Sequence, residues 1–326
     1  MNAFEIKKRI LEVFCENGKN FISGEKLSRL LGFSRAAVWK YVREMRGEGF
    51  AIVAAPRRGY CLKSMPDKVL GYMVAAGLDE GTIGRGPIYY HESTGSTNDR
   101  AYELAERGAP EGTLVIAERQ THGRGRRGRK WISPREGGIY ASIVLRPAME
   151  ADEIPAVTIV AAISVIDAIK KMCTVKAGLK WPNDVLVSGK KICGILVEIK
   201  AEPDTVDFLI LGIGVNVNAD RGELPAEATS LKAETNRHVN RAELLRHILR
   251  AFDRDYALFT KKGFSASRTR SRALSLVLGK RVRITGQRSP IEGTAQDIDA
   301  KGALVLTTDN GTTRRIFSGD IILPKI

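Results

Sequence analysis

Apolar residues recur at helical spacing from the start of the chain. Phe4, Ile6, Ile10, Leu11, Val13 and Phe14 fall largely on one face and predict a helix over 4–14, ended by Asn17-Gly18. Leu27, Leu30 and Leu31 predict a second short helix with Ser23 or Gly24 as its cap. Gly32-Phe33 makes the turn, and Ser34 caps a third helix running to about Arg46. On that third helix Val38, Val42 and Met45 face inward, and Arg35, Trp39, Lys40 and Arg43 face outward. After Gly49 come two strands, Phe50–Val53 and Tyr60–Leu62, joined through Pro56-Arg57-Arg58-Gly59. Strands and helices then alternate. Strands are expected at 88–90, 113–118, 139–145, 185–187, 192–199 and 208–217, with a hairpin at 188–191. Helices are expected at 99–107 (capped by Asn98), 154–171 and 241–260. So many adjacent strands imply a mixed sheet. Strands at 281–285, 291–299, 303–308 and 313–318, with a hairpin turn at Asp309-Asn310-Gly311, predict a small β-barrel.

Length and composition narrow this picture. The 326 residues suit two or three domains, and 43% hydrophobic with 27% charged residues excludes long disorder. No apolar run approaches the eighteen residues of a membrane helix, so no membrane association is expected. Cys15, Cys61, Cys173 and Cys193 are scattered without a C-x-x-C pair, and the first residues lack an apolar signal core. A cytoplasmic protein is expected. The net charge of +15 is unevenly spread: residues 1–65 hold 13 Lys/Arg against 6 Asp/Glu, and residues 261–326 hold 13 against 5. The stretch between is balanced. Two short helices with a tight glycine turn, a basic outward face and a basic wing read as a DNA-binding helix-turn-helix. Ser34, Arg35, Ala36, Trp39, Lys40 and Arg43 would lie at the DNA, with Arg57 and Arg58 on the wing. The competing reading is a small helical domain whose charges are merely solvated. Met65-Pro66-Asp67 reads as a linker.

Three central segments carry candidate chemistry. Gly123-Arg-Gly-Arg-Arg-Gly128 matches a dinucleotide fingerprint by letters, but Trp131-Ile132-Ser133-Pro134 forbids the helix that motif requires. What remains is a glycine loop with Arg124, Arg126, Arg127, Arg129 and Lys130 and no acid among them. Mutual repulsion is expected to hold it open until an anion such as phosphate arrives. A solvated loop or nonspecific RNA-binding tract is the alternative. Lys180-Trp-Pro-Asn-Asp184, followed by Lys191, presents an aromatic, an amide and a carboxylate on a stiffened turn. Ser93-Thr-Gly-Ser-Thr-Asn98 supplies short hydrogen-bonding side chains, and Gly212-Ile-Gly-Val-Asn-Val-Asn218 offers close backbone approach or a strand bulge.

Gly123–Trp131, Lys180–Asp184, the Lys191–Glu198 strand and Gly212–Asn218 together resemble the biotin–protein ligases, and with the helix-turn-helix the whole chain resembles their bifunctional repressor form. The resemblance implies a multidomain α+β protein. A winged helix-turn-helix would occupy 1–65, and an α/β mixed-sheet ligase domain of the class II aminoacyl-tRNA synthetase kind 66–272. An SH3-like β-barrel would occupy 273–326. It implies synthesis of biotinyl-5′-adenylate from biotin and ATP with Mg2+, then transfer to a lysine of a biotin carboxyl carrier protein. It also implies operator binding by an adenylate-bound homodimer. Two Ser-Thr pairs precede Asn98, and the family pattern selects Ser96-Thr97-Asn98. Biotin would meet these three with Gln120, Gly123, Arg124, Gly125, Arg126, Lys191, Gly194, Gly212 and Gly214. The adenylate would meet Arg126, Arg129, Trp131, Lys180, Asn183 and Asn216. Lys191, Arg126 and Asp184 are the catalytic candidates, with Asp184 also a possible neighbour of magnesium. A non-enzymatic ligand-sensing regulator and a lipoate-type ligase are the alternatives.

Overall fold

The computed structural model describes residues 2–78, 81, 83–84, 86–202, 205–286 and 289–322. The chain divides into two compact units, Met1–Asp79 and Glu80–Ile326.

In the first unit, α1 (Ala3–Glu16), α2 (Gly24–Leu31) and α3 (Arg35–Gly47) each begin at a side-chain cap: Asn2, Ser23 and Ser34 accept from the third residue on. Ile10, Leu11, Phe14, Leu27, Val38, Val42 and Met45 are buried between them. Gly32 closes α2 in the left-handed region. Strands β1 (Ala51–Ala55) and β2 (Gly59–Ser64) form the wing. Gly59 has φ +94°, and a Cβ there would lie 2.0 Å from the Ile22 carbonyl oxygen. Only glycine lets the wing close on that loop. A short helix, α4 (Gly71–Ala75), packs against α1. Its Tyr72 stacks on Phe50 at 6.0 Å and donates to Glu48. Residues 66–78, which the sequence groups with the central domain, therefore fold with the first unit. Five apolar residues without helical length gave no periodic signal.

The second unit is built on one mixed sheet. Its strands are β3 (Ile88–His91), β4 (Leu114–Ala117), β5 (Gly138–Leu145), β6 (Ala177–Lys180), β7 (Asp184–Val187), β8 (Lys190–Glu202) and β9 (Thr205–Asn216). Among the described residues their order is β3-β4-β5-β9-β8-β7-β6, with β3 and β4 parallel and every other pair antiparallel. The helices are α5 (Thr97–Glu106), α6 (Ile154–Met172), α7 (Leu231–Thr235), α8 (Arg241–Lys262) and α9 (Ser265–Leu274). Helix α6 is apolar all round because it packs between the sheet and α8. Helix α5 starts two residues earlier than expected, with Ser96 rather than Asn98 as N-cap. Asn98 is committed to other bonds, described below.

The last strands, β10 (Arg281–Thr285), β11 (Ile291–Ile298), β12 (Leu304–Thr308), β13 (Thr313–Ile316) and β14 (Asp320–Ile322), form an antiparallel sheet in the order β13-β12-β11-β10-β14. Val282, Ile284, Ile298, Leu304 and Leu306 fill its core. This small sheet is anchored on the α6 end of the unit. Trp181 is buried and donates from Nε1 to the Gly302 carbonyl at 3.0 Å, and a Cβ on Gly302 would lie 2.6 Å from Ala156 N. The aromatic of the Lys-Trp-Pro-Asn-Asp segment is thus turned into the barrel contact and not toward the ligand cavity. No described helix is long and apolar enough to cross a membrane.

Candidate active site

A cavity of about 310 Å³ opens above the β8–β9 face of the sheet. Strand pairing explains its floor. Gly194 on β8 and Gly214 on β9 are directly opposed, and their missing side chains leave a slot. The Trp131 ring lies over that slot, within 2.9 Å of where either Cβ would stand.

One end of the cavity is a set of hydrogen-bonding side chains at the start of α5. Ser96, Thr97 and Asn98 are all buried. Gln120 Oε1 accepts from the Thr97 backbone N at 2.8 Å and its hydroxyl at 3.0 Å, while Gln120 Nε2 donates to Ser133 at 3.0 Å. Ser142 donates to Asn98 Oδ1 at 2.6 Å, and Asn98 Nδ2 donates to Glu198 at 2.7 Å. A Cβ on Gly212 would stand 2.2 Å from Asn98 Oδ1, so only the bare strand admits this side chain.

The other end is cationic. Lys191 Nζ lies 2.7 Å from Asp184 Oδ1 and 5.4 Å from the Trp131 ring centre. Arg126 donates to Asn183 Oδ1 at 3.1 Å and to the Gly319 carbonyl at 3.0 Å, with Asp320 at 3.8 Å. Burial lowers the Arg126 pKa from its ordinary value; the Asp320 and Asp184 carboxylates oppose that shift. Lys180 lies opposite Asp184 in the β6–β7 ladder, and Asn216 ends β9 at the cavity wall. Every anticipated ligand-site residue lines the cavity except Gly123. Gly123 lies beneath the loop instead, its carbonyl accepting from Trp131 N at 2.9 Å.

The arginine–glycine loop is not held open by its own charge. Arg124 pairs with Asp99 and with Glu198 at 3.0 Å. Arg129 pairs with Asp320 at 2.8 Å, and Arg127 donates to the Gly286 carbonyl at 2.8 Å. The acids that neutralise the loop are distant in sequence, which is why a local charge count predicts repulsion. Residues 124–130 form a short turn, with Arg127 at φ 58°, and no nucleotide-binding helix begins there.

Comparison with known proteins gives the family of the chain. Residues 90–216 match the biotin/lipoate A/B protein ligase family, residues 277–323 the biotin protein ligase C-terminal domain, and residues 7–61 an HTH domain. The chain is 39% identical to the bifunctional ligase/repressor BirA of Bacillus subtilis over 98% of each chain. It is 30% identical to that of Escherichia coli over 94% of each. The chain belongs to the bifunctional biotin–protein ligases. Its fold also matches the biotin protein ligase from Aquifex aeolicus in complex with biotin and ATP, with TM-score 0.63 and 32% identity, covering 74% of this chain and 99% of that one.

For a ligase of this family, sequence reasoning missed the segment after β9. Leu224, Pro225, Glu227 and Ala228 line the cavity, and the Lys191 backbone bonds to Glu227 and Thr229 at 2.9 Å each. No motif or periodicity marks that loop. Ser142 and Glu198 lie on expected strands but showed no role, because their partners lie on other elements.

In the helix-turn-helix unit Arg35, Ala36, Trp39, Lys40 and Arg43 are exposed along α3, and Arg57 and Arg58 are exposed on the wing. Arg43 stacks on Trp39 at 4.9 Å and Arg58 on Phe21 at 4.1 Å. Ser34 serves as the helix cap, its hydroxyl accepting from Ala37 N. Among the described residues no carboxylate pairs with these cations. At the basic C-terminal end the reverse holds: Arg268 and Arg272 pair with Asp297, Arg270 with Asp167 and Asp255, Arg281 with Asp309, and Arg315 with Asp299. The cations of α3 and the wing thus keep their charge available to phosphate.

Proposed function

We propose that the cavity joins biotin to ATP and that the product is biotinyl-5′-adenylate, which is then transferred to a lysine of a biotin carboxyl carrier protein. The observation that carries this reading is one cavity with a neutral hydrogen-bonding end, a glycine-floored slot and a cationic end at Lys191 and Arg126. The neutral end suits a ureido ring, each matched bond contributing about 1 kcal/mol. At the other end two anions, a carboxylate and an α-phosphate, must meet. A cation 4 Å from a unit negative charge attracts it by about 4 kcal/mol at an effective dielectric near 20. Lys191 stands where it lowers that repulsion as the new bond forms and pyrophosphate departs. Magnesium would arrive on the ATP phosphates. Bound there it would neutralise phosphate charge, and the Asp184 carboxylate is the residue that would hold it.

In the transfer step the carrier lysine must be neutral, yet only about one such lysine in a thousand is neutral near pH 7.4. Asp184 can accept its proton or orient it. The Trp131 ring and the pinned loop keep water from the anhydride. Release of pyrophosphate from ATP on adding biotin, with lipoate as comparator, tests the first step. Equal release with lipoate, or none with biotin, contradicts it.

The exposed cations on α3 and the wing support a second role, repression at an operator by an adenylate-bound homodimer in the cytoplasm. Ligand would then strengthen the dimer, and the dimer the ligand, by the same factor. Operator affinity and sedimentation are measured with and without biotin plus ATP. Both should rise with the ligands, and the log–log salt slope should be about −0.9 per phosphate neutralised. Unchanged values on adding both ligands contradict the switch.

A further inference from the structure

Glu198 carries none of the roles above, yet it joins two parts of the site. Side chains alternate along β8, so Gly194, Leu196 and Glu198 share the cavity face of the sheet. Gly194 forms the slot, Leu196 lines the cavity, and Glu198 stands just beyond. Its carboxylate accepts from Asn98 Nδ2 at 2.7 Å and from Arg124 Nη2 at 3.0 Å. An ionised carboxylate is acceptor-only, so it faces the amide nitrogen of Asn98 and turns the amide oxygen toward the Ser142 hydroxyl. Gly212, bare of a side chain, is what lets that buried amide lie against β9. Arg124, meanwhile, is held by two carboxylates, Glu198 and Asp99.

We infer that Glu198 is a positioning residue: a latch that fixes the Asn98 amide at the ring-binding end and clamps the 123–131 loop through Arg124. The inference rests on the adenylate-forming reading above. It separates affinity and retention from chemistry, because Glu198 reaches the ring end of the site and the 123–131 loop, while the reacting groups lie at Lys191 and Arg126.

The test compares Glu198→Gln, Arg124→Gln and the double variant in the full chain, with biotin, ATP and no acceptor. In Glu198→Gln the biotin KM for adenylate formation should rise about tenfold, the loss expected for a hydrogen bond to a charged group. The kcat should stay within about twofold. The half-life of bound adenylate should shorten about tenfold. Arg124→Gln should shorten that half-life too, and its effect should largely vanish in the Glu198→Gln background. A matched fall of kcat with kcat/KM, additive effects on the half-life, or unaltered biotin KM and half-life would each overturn the latch. If Glu198→Gln fails to fold, Arg124→Gln decides alone, and an unchanged half-life there overturns the proposal. Absence of adenylate from the unaltered chain would instead overturn the reading beneath it.

Discussion

Lys191 is held by contacts of two kinds, an ion pair to Asp184 through its side chain and backbone bonds to residues 227 and 229. Lys191→Ala removes the first and leaves the second, so the loop that walls the cavity should stay in place. Adenylate formation is expected to fall about a hundredfold, comparable to losing one preorganised charge-stabilising donor. Pyrophosphate release at saturating biotin measures it, and a near-parental rate would remove Lys191 from the chemistry. Arg126→Gly frees the loop from Asn183 and Gly319, leaving Arg129 to hold Asp320. Biotinyl-adenylate should then escape and label lysines of an unrelated bystander protein, at a rate above that of the parent. Equal labelling would contradict the retaining role. The cations of the site were legible in sequence as a dense run of letters. Their partners were not, because Asp99, Glu198 and Asp320 reach the loop from a helix, a strand and the barrel.

At the scale of elements, caps and periodicity carried the reading. Ser23, Ser34 and Gly32 mark the helix-turn-helix by local chemistry alone, and the long strands read from their apolar runs. Short elements escaped. Helix α4 is too brief for periodicity, and α9 carries arginines whose acids lie on α6, α8 and β11. The wing depends on one position. Gly59→Ala places a methyl 2.0 Å from the Ile22 carbonyl at a positive φ, a strain of roughly 1–3 kcal/mol before any clash is counted. The first unit should melt several degrees lower and operator affinity should drop, while adenylate formation stays at the parental rate. An unchanged melting temperature would show that the wing does not need this close approach.

For the whole molecule, the division at Asp79–Glu80 sets where the chain can be cut. A chain lacking residues 1–79 should stay folded, form adenylate and lose operator binding. A cut after residue 65 strands Val69, Leu70, Met73 and Val74, which are buried in the intact chain, and should aggregate more readily. Light scattering of the two truncations compares them; equal behaviour would deny that α4 belongs with the first unit. The two basic regions differ in the same way: the cations of α3 and the wing are left for phosphate, while Arg268, Arg270, Arg272, Arg281 and Arg315 are held in ion pairs. The central claim is that this one chain activates biotin and delivers it to a carrier lysine. Incubate the intact protein with biotin, ATP, Mg2+ and a biotin carboxyl carrier domain, and record the carrier's intact mass. The account predicts a gain of one biotin less one water, on one lysine, dependent on ATP. A carrier whose mass is unchanged, with the protein folded and both substrates present, would contradict it.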